Sequence, residues 1–141
     1  SVLCAFNAAG ISHDDPAVVK AVEWLRSVQR PDGGWGEGCE SYEGGGHGTY
    51  SESLPSQTAW AVLGLMAAGR RDDPAVTRGI AWLAAQQDEK GEWQEEPYNA
   101  VGFPKVFYLR YHGYKQFFPL MAVARYRNLQ SSNTGRVAFG F

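Results

Sequence analysis

An internal repeat constrains the fold of this chain more than any other feature of its sequence. Residues 14–18 read Asp-Asp-Pro-Ala-Val and recur, at an offset of 58, as residues 72–76. The same offset carries Trp-Leu, Gln and Gly-x-Trp from residues 24–35 to residues 82–93. Repeated units of this kind fold as copies of one supersecondary structure that stack on each other. We therefore expect both copies to share one backbone arrangement.

Each copy is predicted to open with an amphipathic helix. Asp15 and Asp73 suit the N-cap position, and the proline after each suits the first helical residue, where a missing N–H costs nothing. Apolar residues then follow at helical spacing: Val18, Val22, Leu25 in one copy and Val76, Ile80, Leu83 in the other. Segments rich in Gly and charged residues, which break helices, follow Gln29 and Gln87.

A second kind of helix lies between these two. Residues 56–69 are apolar nearly all round, and Gly69 suits a C-terminal cap. A helix without a polar face is buried on all sides. Residues 1–10 resemble its second half, and residues 114–126 look like a third copy. The alternation predicts an all-α fold in two layers, with buried helices in an inner ring and amphipathic helices in an outer ring.

Composition excludes several classes of protein. With 141 residues, 44% hydrophobic and 20% charged, the chain should bury one globular core. A net charge of −2 gives no basic face for nucleic acid, and no apolar run reaches the ~20 residues of a membrane span. Cys4 and Cys39 are too few for a disulfide framework and suit a reducing compartment. Because residues 1–9 read as the middle of a helix and lack an initiator Met, we expect sequence to precede them.

The repeated unit contains a recognisable motif at residues 20–35 and 78–93. Each copy reads basic residue, small residue, Trp-Leu, Gln and Gly-x-Trp at fixed spacing. This resembles the QW motif of the triterpene cyclases. A Gln at a helix end has donors and an acceptor for unpaired backbone groups, and a Trp six residues later can fold back over it. We expect these pairs to brace the outer helices: Gln29 with Trp35, and Gln87 with Trp93.

The resemblance extends over residues 1–129, read as the C-terminal part of a squalene–hopene cyclase catalytic domain, with residues 130–141 as a tail. The last segment of this tail, residues 137–141, is expected to dock on the helical domain. Residues 55–60 share in the family resemblance, and residues 102–111 resemble the bacterial squalene–hopene cyclases; the oxidosqualene cyclases rank second. The resemblance implies an (α/α)6 double-ring barrel that cyclises squalene to hopene or hopanol without a cofactor. It also implies peripheral contact with the cytoplasmic face of a bacterial membrane through upstream segments, and homodimer formation.

Cyclising a C30 polyene requires an acid, a dry cavity that prefolds the chain and walls that stabilise carbocations without reacting. Aromatic faces suit the walls, since each attracts a cation by about 0.5–1 kcal/mol when exposed and ~2 kcal/mol when desolvated. Residues 98–118 are rich in aromatics, which on their own would be read as core. Phe103, Phe107, Tyr111 and Tyr114 are spaced by four, four and three, so a helical segment would put them along one side, whereas Pro104 and Gly113 argue against one continuous helix and favour a loop in the early part. The resemblance implies instead that Phe103 and Phe107 stabilise ring cations in mid and late cyclisation. It also implies that Leu109, Tyr111 and Tyr114 line the cavity wall.

The resemblance assigns two further residues upstream. Trp35, in the Gly-Gly-Trp-Gly-Glu stretch of residues 33–37, would reach the cavity as well as pairing with Gln29. Tyr42 would belong to a hydrogen-bonded water network that helps to reprotonate the catalytic acid. The acid itself, Asp-x-Asp-Asp, is missing, because Ser12 and Arg70 stand where its first Asp should be. No catalytic residue is therefore expected in this chain, and the chain alone is predicted to be inactive.

Rival functions find less support. A zinc site like that of protein prenyltransferase β-subunits is not expected, because His13, His47 and His112 are scattered and Cys39 has no ligand spacing to His47. The glycine-rich residues 44–48 lack the Lys-Ser/Thr of a phosphate-binding loop. Another class II terpene cyclase, or a non-catalytic α/α-repeat binding module, remains an alternative.

Overall fold

The computed structural model describes residues 2–38, 52–98, 100–103 and 106–138. Its five helices are α1 (Val2–Ala8), α2 (Pro16–Ser27), α3 (Pro55–Ala67), α4 (Pro74–Ala85) and α5 (Tyr114–Ser131). Two short strands, β1 (Ala100–Phe103) and β2 (Phe107–Arg110), form an antiparallel hairpin between α4 and α5. The predicted all-α class is confirmed, with this hairpin as its single addition in the described ranges.

The helices form two layers. In the inner row, α3 packs against α1 on one side and α5 on the other. In the outer row, α2 contacts α1 and α3, while α4 contacts α3 and α5. Eleven of the thirteen residues of α3 are buried, because neighbours cover it from both layers. This confirms that the helix with no polar face lies inside.

Both outer helices begin as the sequence predicts. The side-chain oxygen Oδ1 of Asp15 accepts from the backbone N–H of Ala17 at 2.8 Å, and Asp73 accepts in the same way from Ala75 at 2.8 Å. Each aspartate thereby satisfies an N–H that lacks a partner within its helix. Asp73 is also buried and ion-paired with Arg26 of α2, so it joins the two outer helices.

The end of α3 follows the predicted glycine cap. The N–H of Gly69 donates to the carbonyl of Met66 and that of Arg70 to the carbonyl of Leu65, both at 3.0 Å. These are the two bonds of a Schellman motif, which closes a helix whose next residue is glycine. The chain can then turn directly into the N-cap of α4.

Helix α5 takes the predicted third inner position, but it is less covered than α3. It continues to Ser131, five residues beyond the predicted 114–126. Its buried residues are Pro119, Ala122 and Leu129, whereas Phe117 is 67% exposed. The described residues therefore cover only one side of this helix.

The hairpin corrects the expectation for residues 98–111. The spacing of Phe103, Phe107 and Tyr111 suggested one side of a helix, and Pro104 suggested a loop. The backbone instead pairs Phe103 with Phe107 and Ala100 with Arg110. A spacing of four puts two residues on one side of a helix, but here it separates the last residue of β1 from the first residue of β2, which are register partners.

The described part of the tail, which ends at residue 138, packs on the helices through Val137. The side-chain amide of Asn7 donates to the carbonyl of Val137 at 2.9 Å, and Val137 packs against the hydrophobic core. Residues 139–141 lie outside the described residues. None of the helices in the described part of the chain combines the length and apolarity needed to cross a membrane.

Candidate functional site

The first Gln-Trp clip, residues 29–35, ties the end of α2 to α4. The Gln29 amide nitrogen donates to the carbonyl of Gly33 at 2.8 Å and to that of Ala75 at 2.9 Å. Its amide oxygen accepts from the guanidinium of Arg78. One side chain thus closes its own turn and holds the first turn of the next outer helix.

The second clip, residues 87–93, has the same turn as the first, but its Gln is not seen to bind a neighbouring outer helix in the described residues. Gln87 donates to the carbonyl of Gly91 at 3.0 Å, as Gln29 does to Gly33. Gln87 is exposed, and it pairs as an isolated β-bridge with Trp93. The two clips share their local geometry, but of the two only Gln29 is seen to reach a neighbouring helix within the described ranges.

This difference predicts unequal effects of matched substitutions. Gln29→Ala should lower the free energy of unfolding by about 2–3 kcal/mol, because it leaves two backbone carbonyls without their donor. Gln87→Ala, at the equivalent exposed position, should cost about 0.5–1 kcal/mol. Urea denaturation of both variants measures the contrast. Equal losses would show that the bonds from Gln29 to α4 contribute nothing to stability.

Both clip tryptophans are buried and anchored at their indole nitrogens. Trp35 donates to the carbonyl of Leu25 at 2.9 Å, and Trp93 donates to that of Leu83 at 2.8 Å. The ring of Trp35 lies so close to α4 that a Cβ on Gly79 would stand 2.9 Å from it. The small residue of the motif therefore makes room for the tryptophan of the preceding repeat.

The backbone of each clip is bound to an inner helix. The N–H of Trp35 donates to the hydroxyl oxygen of Thr58 at 2.9 Å, and that hydroxyl lies 3.2 Å from the Trp35 carbonyl. Trp93 is held in the same way by the amide of Gln116, at 3.1 and 2.9 Å. Thr58 and Gln116 are themselves 58 residues apart. We did not single them out from the sequence, although the repeat offset connects them.

Four aromatic side chains join the inner helices α3 and α5 in an array that we call the aromatic cluster. Its members are Trp60, Tyr111, Tyr114 and Phe118. Trp60 meets Tyr114 and Phe118 edge-on at centroid distances of 5.7 and 5.2 Å. Tyr111 stacks on Tyr114 at 4.8 Å with an interplanar angle of 10°. Tyr111 and Tyr114 were predicted for the cavity wall, whereas Trp60 and Phe118 were missed.

Two other predicted wall residues lie on the hairpin. Phe107 and Leu109 occupy one face of β2 and are 45% and 50% exposed. Phe103 is opposite Phe107 in the hairpin register, but its side chain is outside the described part. Tyr42 also lies outside the described residues. Trp35 is separate from the hairpin and borders a different space.

That space is a cavity of about 420 Å³ between α1, α2, α3 and residues 35–37, here called the α1–α2 cavity. Its walls are mostly apolar. Lining residues include Leu3, Trp24, Leu25, Trp35, Glu37 and Trp60. Trp60 lines this cavity together with Trp35 and also belongs to the aromatic cluster. It therefore lies between Trp35 and the two predicted tyrosines, Tyr111 and Tyr114.

The hairpin is held to the segment before it. The guanidinium of Arg110 lies 4.8 Å from the ring centroid of Tyr98 and donates to the carbonyl of Glu95 at 3.4 Å. Cation–π contacts of this kind favour one orientation of the strand. Arg110 therefore holds β2, the strand that carries Phe107 and Leu109, to residues 95–98.

Other reactive groups have structural partners. Burial raises the pKa of the Cys4 thiol, which keeps it protonated and unreactive. The ring Nε2 of His13 lies 3.2 Å from the amide oxygen of Asn7. Across the described residues, no three His, Cys, Asp or Glu side chains come together as metal ligands.

Paired inner and outer helices, Gln-Trp clips and aromatic side chains on the inner row agree with the predicted resemblance to the helical-repeat terpene cyclases. The comparison with known proteins narrows this class. The family model of the squalene-hopene cyclase C-terminal domain matches residues 1–128, and the chain belongs to that family.

Several curated relatives match nearly the whole chain. It is 70% identical over 141 residues to the squalene-hopene cyclase of Schizosaccharomyces japonicus, covering 100% of the chain and 22% of the relative. It is 58% identical over 141 residues to that of Bradyrhizobium diazoefficiens, covering 99% and 21%. Lanosterol synthase of Mus musculus is 37% identical over 134 residues, covering 92% and 18%. The chain thus spans about a fifth of the length of these relatives, and the order of identities agrees with ranking the sterol cyclases second.

Proposed function

We propose that this chain forms one wall of the reaction cavity in a squalene–hopene-type triterpene cyclase. The observation that carries the proposal is the aromatic cluster, which places four rings in continuous contact between two inner helices. Ring faces attract a carbocation through their quadrupole and have no lone pair to capture it. A wall of such rings suits a reaction that carries positive charge from carbon to carbon.

The reaction needs no redox partner or metal. A proton adds to a terminal alkene, and each following alkene donates its π pair to the cation, which forms one carbon–carbon bond and moves the charge onward. Loss of a proton gives hopene, and capture of water gives hopanol. The protein must supply the first proton, a prefolded polyene and stabilisation of each cation.

The side chains of this chain suit the last of these tasks. Phe107, Leu109 and Tyr111 are each 41–50% exposed and so offer apolar surface to a polyene. Once water is excluded, a cation–π contact is worth ~2 kcal/mol, which is roughly 30-fold in rate. We assign Phe103 the same role as Phe107 from its place in the hairpin register. Tyr114 holds Tyr111 by stacking.

The remaining roles follow from the family. The clips formed by Gln29, Trp35, Gln87 and Trp93 brace the outer helices, Trp35 reaches the cavity, and Tyr42 serves the water network of the acid. The acid belongs to a part of the longer protein that precedes this chain, so the chain alone should not turn over squalene. Family resemblance also supports monotopic contact with the cytoplasmic face of a membrane and a homodimer.

Oxidosqualene cyclisation is the second candidate, because lanosterol synthase matches the same region at 37% identity. The 70% identity to a squalene-hopene cyclase favours squalene. The two substrates differ by an epoxide at the end that receives the proton, so one protein can be assayed with both.

Grafting tests the proposal. We expect a chimera in which this chain replaces the matching segment of the Schizosaccharomyces japonicus cyclase to convert squalene to hopene or hopanol. A folded chimera that consumes neither squalene nor oxidosqualene would contradict the proposed wall. Consumption of oxidosqualene alone would establish the second candidate.

A further inference from the structure

Helix α3 takes the acceptor for its first turn from another part of the chain. The outer helices α2 and α4 are capped by the aspartate that precedes each of them. The N-cap of α3 is Leu54, whose side chain makes no capping hydrogen bond. The N–H groups of a first turn have no partner within their own helix. Because Leu54 and Ser56 are buried, an acceptor here has to come from a neighbouring segment.

Glu95 supplies this acceptor. Its Oε2 accepts from the backbone N–H of Ser56 at 2.8 Å, and its Oε1 accepts from the Ser56 hydroxyl at 2.9 Å. Glu95 itself is 8% exposed. Hydrogen bonds to a carboxylate are roughly twice as strong as those between neutral groups, and negative charge is favoured at a helix N-terminus. Glu95, two residues after Trp93, therefore holds the start of α3.

The backbone of the same residue holds the hairpin. The carbonyl of Glu95 accepts from the guanidinium of Arg110 at 3.4 Å. Arg110 is the last residue of β2, and the next residue, Tyr111, stacks on Tyr114. Helix α3 and the hairpin are thus both attached to Glu95, the helix through its side chain and the hairpin through its backbone.

These contacts close a ring that passes through the aromatic cluster. Trp60 follows Ser56 by four residues, about 6 Å along α3, and residues at this spacing share one side of a helix. Trp60 in turn meets Tyr114 at 5.7 Å. The members of the ring, in order, are Glu95, Ser56, Trp60, Tyr114, Tyr111 and Arg110. Because the ring is closed, each contact limits the movement that the others allow.

We propose that Glu95 is a positioning residue for the cyclisation, which sets the distance between the aromatic cluster and the hairpin that carries Phe107 and Leu109. The inference rests on the proposed function, because this distance affects products only where both groups line one reaction cavity. Cations that form in turn along a polyene need rings at fixed separations, and a misplacement of ~1 Å can cost about a hundredfold in rate. Glu95 acts in this role without touching the substrate.

Glu95→Ala in the grafted cyclase tests this role. The substitution releases the start of α3 from the hairpin, so the ratio of partly to fully cyclised products from squalene should rise about tenfold. Glu95→Gln should stay within about twofold of the unmodified graft, because its amide oxygen accepts from the Ser56 N–H and its amide nitrogen can donate to the hydroxyl. Glu96→Ala, which removes the exposed glutamate beside it, should also stay within about twofold. Gas chromatography well below the Tm measures all three.

Two further measurements separate positioning from folding. Arg110→Met keeps a long side chain but loses the donor to Glu95, so it should shift the products in the same direction even if Glu95→Ala does not fold. Amide hydrogen exchange of β2 in the graft should become about tenfold faster in either variant and should change little in Glu95→Gln.

Unchanged products in a folded Glu95→Ala graft would overturn the role even if exchange became faster, because Glu95 would then only stabilise the fold. A product change in Glu95→Gln as large as that in Glu95→Ala would overturn it too, since the charge rather than the contacts would then matter. Both outcomes leave the proposed wall in place. An unmodified graft that consumes no squalene would instead remove the proposed wall, and the role of Glu95 in cyclisation with it.

Discussion

Trp35→Ala should lower the free energy of unfolding by about 3–5 kcal/mol, the cost of removing a large buried aromatic ring. Trp35 is 5% exposed, its indole nitrogen donates to the carbonyl of Leu25 at 2.9 Å, and its ring packs over Gly79. The substitution removes contacts to an outer helix, an inner helix and the clip itself. Urea denaturation followed by circular dichroism measures the loss.

Two variants separate packing from hydrogen bonding. Trp35→Phe keeps most of the ring but loses the indole donor, so it should cost about 1–3 kcal/mol. Trp24→Ala removes the same side chain from a site where it is 45% exposed, and should cost about 1 kcal/mol. If Trp35→Ala were no more destabilising than Trp24→Ala, Trp35 would not link the layers.

Phe107→Ala should change the products of the grafted cyclase from fully cyclised hydrocarbons to partly cyclised ones. Without the ring, the nearby cation loses ~2 kcal/mol of stabilisation, which shifts the competition between ring closure and proton loss by roughly 30-fold. Gas chromatography of the products from squalene measures the ratio.

A matched aromatic residue controls this prediction. Phe117 on α5 is 67% exposed and has no assigned place in the wall, so Phe117→Ala should leave the product ratio unchanged. Phe107→Tyr should largely preserve it, because the ring face remains. An unaltered ratio for Phe107→Ala, or equal changes for both alanine variants, would remove Phe107 from the wall.

The helix starts were predictable because their signals are local. An aspartate followed by proline fixes an N-cap whatever lies nearby, and Asp15 and Asp73 both behave in this way. The burial of α3 was predictable because it has no polar face. In each case the residues of one short segment are enough to predict its structure.

The hairpin was not predictable, because its aromatic spacing also fits one side of a helix. The pairing of β1 with β2 joins residues up to ten positions apart, such as Ala100 and Arg110, and the spacing of the aromatics does not reveal it. The cluster partners Trp60 and Phe118 were missed for another reason. They are 58 residues apart but are different residue types, as are Thr58 and Gln116. The repeat conserves their positions in the helical rows while their side chains differ, so a search for identical residues passes over them.

Trp35 and the predicted residues of the hairpin lie in different parts of the structure. Trp35 borders the α1–α2 cavity, while Phe107 and Leu109 lie on β2 of the hairpin. Trp60 borders the α1–α2 cavity and also belongs to the aromatic cluster. Sequence reasoning could not locate this connection because it depends on how α3 and α5 pack.

The most direct test of the central claim is the structure of the grafted cyclase with a squalene analogue that cannot cyclise. The account predicts carbons of the polyene within about 6 Å of the ring centroids of Phe107 and Tyr111, the range of a cation–π contact. It would be contradicted if the analogue were bound elsewhere while both rings faced solvent or were covered by other parts of the protein.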